Sequence, residues 1–131
     1  MKTLLFAAFV AFAANASASD LSNRQDVHGN TALMVAAATG DVELTRTLIE
    51  AGAEVDARGR IGNTALIYAA QEGHAGIVKM LVKAGANITA HNDYQVTAGN
   101  LAKGYGHRDI AEMLETVTLQ AAHEMQQSSR I

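Results

Sequence analysis

The feature that most constrains the fold is a segment of 33 residues that occurs twice in succession. The two copies are residues 27–59 and 60–92, and 13 of their positions are identical. Nearly all of these positions hold Gly, Ala, Leu or Thr, the residue types that determine backbone shape and close packing. A weaker third copy begins at Asp93 and keeps Thr97 and Ala102 in register. The period predicts stacked supersecondary units, of which about three are needed to bury a continuous core.

Each unit has the pattern of two short helices joined by a tight turn. A threonine in the N-cap position precedes the first helix, and glycines that can adopt positive φ end both helices. Apolar residues at i, i+3 and i+4 give the second helix one buried face. The capping and terminating residues are Thr31, Gly40 and Gly52 in the first unit, and Thr64, Gly73 and Gly85 in the second.

The first helices carry alanines at the same repeat position, Ala36 and Ala69, which predicts close helix packing. The third unit differs because Thr118 occupies the position at which glycine ends the earlier helices. We therefore expect one longer helix from residue 109 to about 125 that covers the end of the stack, followed by a flexible tail over 126–131.

The N-terminal segment predicts a secretory signal peptide over residues 1–18. Lys2 precedes an apolar stretch of 11 residues, Leu4–Ala14, which is short for a membrane span, and Ala16-Ser17-Ala18 forms a cleavage site. Cleavage after Ala16 is the alternative. The mature chain would be periplasmic or secreted, with residues 19–26 as a lead-in to the repeats. Since the sequence has no cysteine, a lipid-modified N-terminal cysteine is excluded and a soluble product is favoured.

Composition bounds the function classes. The chain has 10 basic and 13 acidic residues, so it lacks the basic excess that a nucleic-acid partner requires. It also lacks a thiol, a nucleophile elbow and a phosphate-binding loop. We therefore predict that the protein is not an enzyme and carries no cofactor.

The motif GNTAL…AA…G…L…AGA resembles the ankyrin repeat, whose units run Gly-x-Thr-Pro-Leu-His-x-Ala-Ala…Gly-His…Leu-Leu…Gly-Ala. This resemblance implies an all-α ankyrin repeat solenoid with three helix-turn-helix repeats, at 27–59, 60–92 and 93–125, short turn or β-hairpin tips, and an extended C-terminal capping helix. Alanine replaces the family proline, and Gly99 stands where a leucine is expected, which predicts a packing loss in the third unit. The family histidine is Met34, Ile67 and Asn100 here, which predicts looser turns.

Proteins of this family bind other proteins through the turn tips and the exposed, concave side of the first helices. The large side chains Ile61, Tyr94 and Tyr105 suit such a contact, although Ile61 and Tyr94 packing on each other across adjacent turns is the alternative. The resemblance implies these partner-binding residues: Val27, His28, Asn30, Thr39, Arg58, Arg60, Ile61, Asn63, Gln71, Glu72, His91, Asp93, Tyr94, Val96 and Tyr105.

Five histidines raise the question of a metal or heme site. None forms a His-x-x-x-His helix pair, and the sequence predicts no metal site. His74 and His107 occupy the family position that braces the turn between helices, so we expect them to be structural. His28, His91 and Tyr94 remain candidates for a heme or other small ligand.

We therefore predict a periplasmic ankyrin repeat module that binds a partner protein and has no membrane or nucleic-acid contact. Three alternatives remain open: an immunity protein that blocks a secreted toxin, an accessory protein that delivers heme or a small ligand to a periplasmic enzyme such as catalase, and a weak homo-oligomer formed through the first repeat.

Overall fold

The structure is a computed structural model and describes residues 23–129. The predicted signal peptide and the first half of the lead-in, residues 19–22, lie outside the described residues. Within 23–129, no helix is both long enough and apolar enough to cross a membrane. The described residues form six α-helices and one short 3-10 turn at Arg60–Gly62: α1 Ala32–Thr39, α2 Val42–Glu50, α3 Ala65–Glu72, α4 Ala75–Lys83, α5 Ala98–Gly104 and α6 Arg108–Ser128.

The helix boundaries follow from capping residues, as the sequence predicts. The hydroxyl oxygen of Thr31 accepts a hydrogen bond from the Met34 amide at 3.3 Å, and Thr64 and Thr97 cap α3 and α5 in the same way. Gly40 and Gly73 end α1 and α3 with φ near +80°, the left-handed region that a glycine enters without strain.

The core lies where the first helices of adjacent repeats meet. Helix α1 packs on α3 and α3 on α5, and each of them also packs on the second helix of its own unit. The alanines on these helices allow the close approach, because each is 1 % exposed or less: Ala36, Ala37, Ala69, Ala70 and Ala102. The all-α repeat architecture expected from the sequence is confirmed.

Two units replace the lost family histidine with another polar link. The sulfur of Met34 accepts a hydrogen bond from the Thr31 amide at 3.4 Å, and Oδ1 of Asn100 accepts one from the Thr97 amide at 3.1 Å. Both pairs form a reciprocal capping box. The first helical turns of the first and third units are therefore held from both sides by a polar link, and the expectation of looser turns stays a prediction.

Histidine side chains lock neighbouring repeats together. The ring of His74 hydrogen bonds through Nε2 to the Ala38 carbonyl at 3.2 Å, and His107 bonds in the same way to the Gln71 carbonyl at 3.1 Å. A Cβ added at Gly40 would lie 2.7 Å from the His74 ring, so this glycine is required by space as well as by φ. The structural role predicted for both histidines is confirmed.

The two ends of the stack lack these bridges. Asp41 stands at the histidine position in the first unit and caps α2 by accepting from the Leu44 amide at 3.0 Å. In the third unit, a Cβ at Gly106 would meet nothing within 4 Å. Gly99 also faces this open end, where a Cβ would meet only Oγ1 of Thr97 at 3.8 Å. Gly99 lines a shallow cleft with Ala111 and Leu114 of α6, and the packing loss expected there stays a prediction.

The C-terminal helix α6 is 21 residues long and begins one residue before the predicted start. Ile110, Ala111 and Leu114 are its buried residues. The helix continues to Ser128, three residues into the segment that the sequence predicts as a tail. From Thr118 to Ser129 every residue is exposed, so only the first half of α6 covers the stack.

Candidate partner-binding surface

Three hairpin tips project from the same edge of the stack, one per repeat. Each is closed by a backbone hydrogen bond across the turn: Asp26 amide to Asn30 carbonyl (2.9 Å), Gly59 to Asn63 (2.8 Å) and Asn92 to Val96 (3.0 Å). The fourth residue of each tip has positive φ and is Gly29, Gly62 or Gln95. The matching closure gives the three tips corresponding positions, so their side chains form a row.

The first and third tips are stabilised by a side chain that the second tip lacks. Oδ1 of Asp26 accepts hydrogen bonds from the amides of His28 (2.8 Å) and Asn30 (3.0 Å). Asn92 makes the same two bonds to Tyr94 (2.9 Å) and Val96 (3.1 Å). These hydrogen bonds lower the pKa of the Asp26 carboxyl below its ordinary value of 3.8, and the bond from the Asn30 amide has the larger effect. Gly59 occupies this position in the second tip, so no side-chain oxygen closes that turn.

Ile61 has the most unusual backbone in the row. Its φ is 55° and its ψ is 21°, in the left-handed region that a β-branched residue rarely adopts. The corresponding residues His28 and Tyr94 do not have positive φ. The Ile61 carbonyl accepts a hydrogen bond from the Asp93 amide at 2.8 Å, which ties the second tip to the third. The side chain is 39 % exposed, so burial in the core does not explain why isoleucine occupies this position.

Arg58 fixes the spacing between the second and third tips. Its Nη2 donates to the His91 carbonyl at 3.2 Å and to Oδ1 of Asp93 at 3.4 Å. The guanidinium lies against Gly62, where a Cβ would collide with it. Because both side chains of this ion pair are more than half exposed, its energy is small and its main effect is on geometry.

Most of the residues predicted to bind a partner are accessible. Val27 is 95 % exposed, Tyr94 70 % and Tyr105 60 %. An exposure of this size leaves most of the Tyr94 ring free, so burial of Tyr94 against Ile61 is not supported. The remaining exposed members are His28, Thr39, Arg58, Arg60, Glu72, His91 and Asp93, and the half-buried ones are Asn30, Gln71 and Val96.

Asn63 is the exception and requires a correction. Its side chain is only 5 % exposed, and its Oδ1 accepts a hydrogen bond from Nδ2 of the equally buried Asn92 at 3.0 Å. A buried amide pair of this kind is structural, since each side chain satisfies the other below the tips. Asn63 therefore supports the second tip from inside and does not belong to the accessible surface.

A row of apolar side chains on the exposed side of the first helices was not predicted from the sequence. Val35, Tyr68 and Leu101 occupy the same repeat position, and Val35 is 44 % exposed while the other two are half-buried. The Tyr68 hydroxyl donates to Oδ1 of Asn30 at 3.1 Å and connects this row to the first tip. A signal was present, because all three units place an apolar residue at this one position of the 33-residue register. We call this row, together with Thr39, Glu72 and Tyr105, the first-helix face.

The described residues hold no group of three or more His, Asp or Glu side chains arranged to bind a metal ion. His28 belongs to the first tip, whereas His91 precedes the third tip and its Nδ1 lies 3.3 Å from the Asn92 carbonyl. His28 is thus two units away along the row from His91 and Tyr94, the other two candidates for a small-ligand site.

Repeated helix pairs, an edge of hairpin tips and an exposed first-helix face define a helical-repeat solenoid. The family model described as Ankyrin repeats (3 copies) matches the chain at residues 4–92 and again at 33–121. The chain belongs to the ankyrin repeat family. Ankyrin repeats are generally protein–protein interaction modules and generally not enzymes. The first match begins at residue 4, inside the segment predicted to be a signal peptide. The signal peptide stays a prediction. A search of curated proteins found no match.

Proposed function

We propose that this chain is an exported adaptor that binds one partner protein through the tip row and the first-helix face. The observation that carries the proposal is Ile61. A left-handed conformation costs a non-glycine residue about 1–2 kcal/mol, and asparagine or glycine would occupy it with less strain. An exposed, strained isoleucine is a poor choice for folding, and contact with a partner gives it a function.

The surroundings of Ile61 fit a protein partner better than a small molecule. Apolar side chains occur in all three tips, as Val27, Ile61 and Tyr94, and polar groups such as Arg60 and Asp93 lie beside them. An apolar centre with a polar rim is the usual composition of a protein interface. The tips are spread over three units and suit an extended surface.

Substitution of Ile61 by Asn should separate folding from binding. Because asparagine tolerates the left-handed region, we expect the free energy of unfolding to rise by about 1 kcal/mol while partner binding falls. Val42→Asn is the matched control: Val42 is 40 % exposed and lies on α2, away from the tips. Urea unfolding measures stability, and capture from a periplasmic extract of the host measures binding.

A single protein retained by the wild type and by Val42→Asn, but lost with Ile61→Asn, would support the proposal. Equal retention of the partner by the wild type and both variants would contradict the proposal. A loss of stability in Ile61→Asn would also contradict it. The identity of the retained protein then separates the two roles, because a secreted toxin indicates an immunity protein and a periplasmic enzyme indicates an accessory protein.

The export step has its own test. Expression of the full-length sequence followed by cell fractionation should place the protein in the periplasm or the medium. N-terminal sequencing should begin at Ser19, or at Ser17 if cleavage follows Ala16. An intact Met1 in the cytosol would remove the exported part of the proposal and leave the binding surface unaffected.

A further inference from the structure

The second and third tips are joined to each other directly. The Asp93 amide donates to the Ile61 carbonyl at 2.8 Å, and Nδ2 of Asn92 donates to Oδ1 of Asn63 at 3.0 Å. Both asparagine side chains are buried, and a buried donor or acceptor that loses its partner is costly. The two tips therefore keep a fixed position relative to each other.

The first and second tips lack the corresponding backbone bond. The Arg60 amide has the repeat position of the Asp93 amide, but within residues 23–129 it donates no hydrogen bond to the His28 carbonyl. The two carbonyls differ in setting, since Ile61 has positive φ and His28 does not. Gly29 lies beside the Arg60 backbone, where a Cβ would be 3.5 Å from the Arg60 nitrogen. The two tips therefore touch without a hydrogen bond between their backbones.

The side-chain bond between these two tips is also missing. Asn30 is the counterpart of Asn63, and Gly59 stands in the second tip where Asn92 stands in the third. A glycine offers no side chain with which Asn30 could pair. Oδ1 of Asn30 instead accepts a hydrogen bond from the Tyr68 hydroxyl at 3.1 Å. Among the described residues, this is the only hydrogen bond that joins the first tip, residues 26–30, to the second repeat.

Tyr68 joins the first tip to the first-helix face. Its half-buried ring lies on α3 at the repeat position of Val35 and Leu101, and α3 packs between α1 and α5. The ring therefore has a fixed base from which its hydroxyl holds Asn30. Neither Val35 nor Leu101 carries a polar group, so the first and third units have no corresponding bond.

We infer that Tyr68 is a positioning residue that acts as a latch for the first tip. While its hydroxyl is bonded to Asn30, the first tip is held in line with the other two. Without that bond, the first tip moves while the second and third tips stay joined. It moves as one hairpin, because Oδ1 of Asp26 accepts hydrogen bonds from the amides of His28 and Asn30 within the tip.

The latch affects the contact surface through Val27. This side chain is 95 % exposed on the first tip, and the latch fixes its position before a partner arrives. A contact group that is already in place loses less conformational entropy on binding. This consequence rests on the proposed function, whereas the bond between Tyr68 and Asn30 does not.

NMR relaxation dispersion of the isotope-labelled product of the full-length sequence, measured without a partner, tests the latch. Tyr68→Phe removes the hydroxyl and keeps the ring. The open population of the first tip should rise by about two- to tenfold, the change expected from the loss of one hydrogen bond. The amides of His28 and Asn30 should therefore show exchange on the microsecond-to-millisecond scale, and that of Tyr94 should show none. Tyr105→Phe is the matched control, because the Tyr105 hydroxyl forms no hydrogen bond within the described residues, and its first tip should behave like that of the wild type.

Asn30→Ala removes the acceptor of the same hydrogen bond. It should produce the same exchange in the first tip as Tyr68→Phe. The double variant should show no more exchange than either single variant, because both substitutions remove one shared interaction.

A first tip that is as rigid in Tyr68→Phe as in the wild type would overturn the inference. Exchange that appears equally in all three tips would also overturn it, since that result indicates a general loosening of the stack. Because no partner is present, this measurement is independent of the capture experiment with Ile61→Asn. A failed latch leaves the proposed contact surface intact, and a failed capture leaves the latch intact.

Discussion

The second and third repeats share a backbone plan but differ in what each needs from its neighbours. The second repeat is covered on both sides: Leu66 is 2 % exposed, and a Cβ at Gly73 would lie 2.5 Å from the His107 ring. In the third repeat the matching positions are Gly99 and Gly106, and both face open space. Lys103 is exposed where Ala70 is buried in the second repeat. A terminal unit thus keeps the turns and caps of the repeat but gives up the apolar outer face.

The largest expected difference between these two repeats is at Leu66 and Gly99. Leu66→Ala leaves a cavity between α3 and its neighbours, and we expect a loss of about 2–5 kcal/mol in the free energy of unfolding. Gly99→Ala fills open space in a helix and should raise the stability by up to about 1 kcal/mol. Urea titrations of the two variants check the signs. Destabilisation by Gly99→Ala would mean that the end of the stack is covered.

Gly73 and Gly106 give a smaller and more specific comparison. Both have φ near +80°, so alanine costs about 1–2 kcal/mol at either position through backbone strain. Only Gly73→Ala also collides with a histidine ring, and overpacking adds about 1–3 kcal/mol. Thermal unfolding should therefore rank Gly73→Ala as the less stable variant. Equal costs would show that His107 moves aside freely, and a Gly73→Ala, His107→Ala double variant measures that coupling.

The smallest expected effect distinguishes the first tip from the third. Because folding lowers the pKa of Asp26, its hydrogen bonds contribute stability above the ordinary value of 3.8, and this contribution is lost as the pH falls through the lower folded pKa. The amide resonances of His28 and Asn30 should shift over that acid range. Those of Tyr94 and Val96, bonded to the neutral Asn92, should not. Asp26→Asn should abolish the shift, and a shift that persists in this variant would assign it to another group.

The local parts of the fold were predictable from sequence because they depend on nearby residues. The threonine caps and the glycine at residue 40 follow from capping chemistry, and the length of α6 follows from the missing glycine at Thr118. The burial of Asn63 was not predictable, since it depends on Asn92 in the next repeat. The replacement of the family histidine by the Met34 sulfur was also missed, because methionine is rarely considered as an acceptor.

The candidate surface was predicted only in part for a similar reason. Exposure of Val27, Tyr94 and Tyr105 follows from their repeat positions. The residues that correspond to Ile61 in the other two tips, His28 and Tyr94, do not have a left-handed backbone, so the repeat pattern could not reveal its strain. Val35, Tyr68 and Leu101 can be seen from the sequence to occupy the same repeat position, but their hydrophobicity alone would assign them to the core. Only the three-dimensional stack shows which side of each first helix remains open.

Side chains along the tip edge join positions about 33 residues apart. Oδ1 of Asn23 accepts from the Glu54 amide and Oδ1 of Asp56 from the Asn87 amide, both at 2.7 Å, while Gln25 donates to the Arg58 carbonyl and Arg58 to that of His91. Each unit thus offers hydrogen-bonding groups to the next unit. The same contacts recur between each pair of units and do not depend on how many units precede them. Such contacts allow further units to be added as monomers are added to a polymer, until a unit lacks the outer face on which the next one would stack. Gly99 and Lys103 have the same effect on stacking, because they leave the third repeat without the apolar outer face on which a further unit would pack.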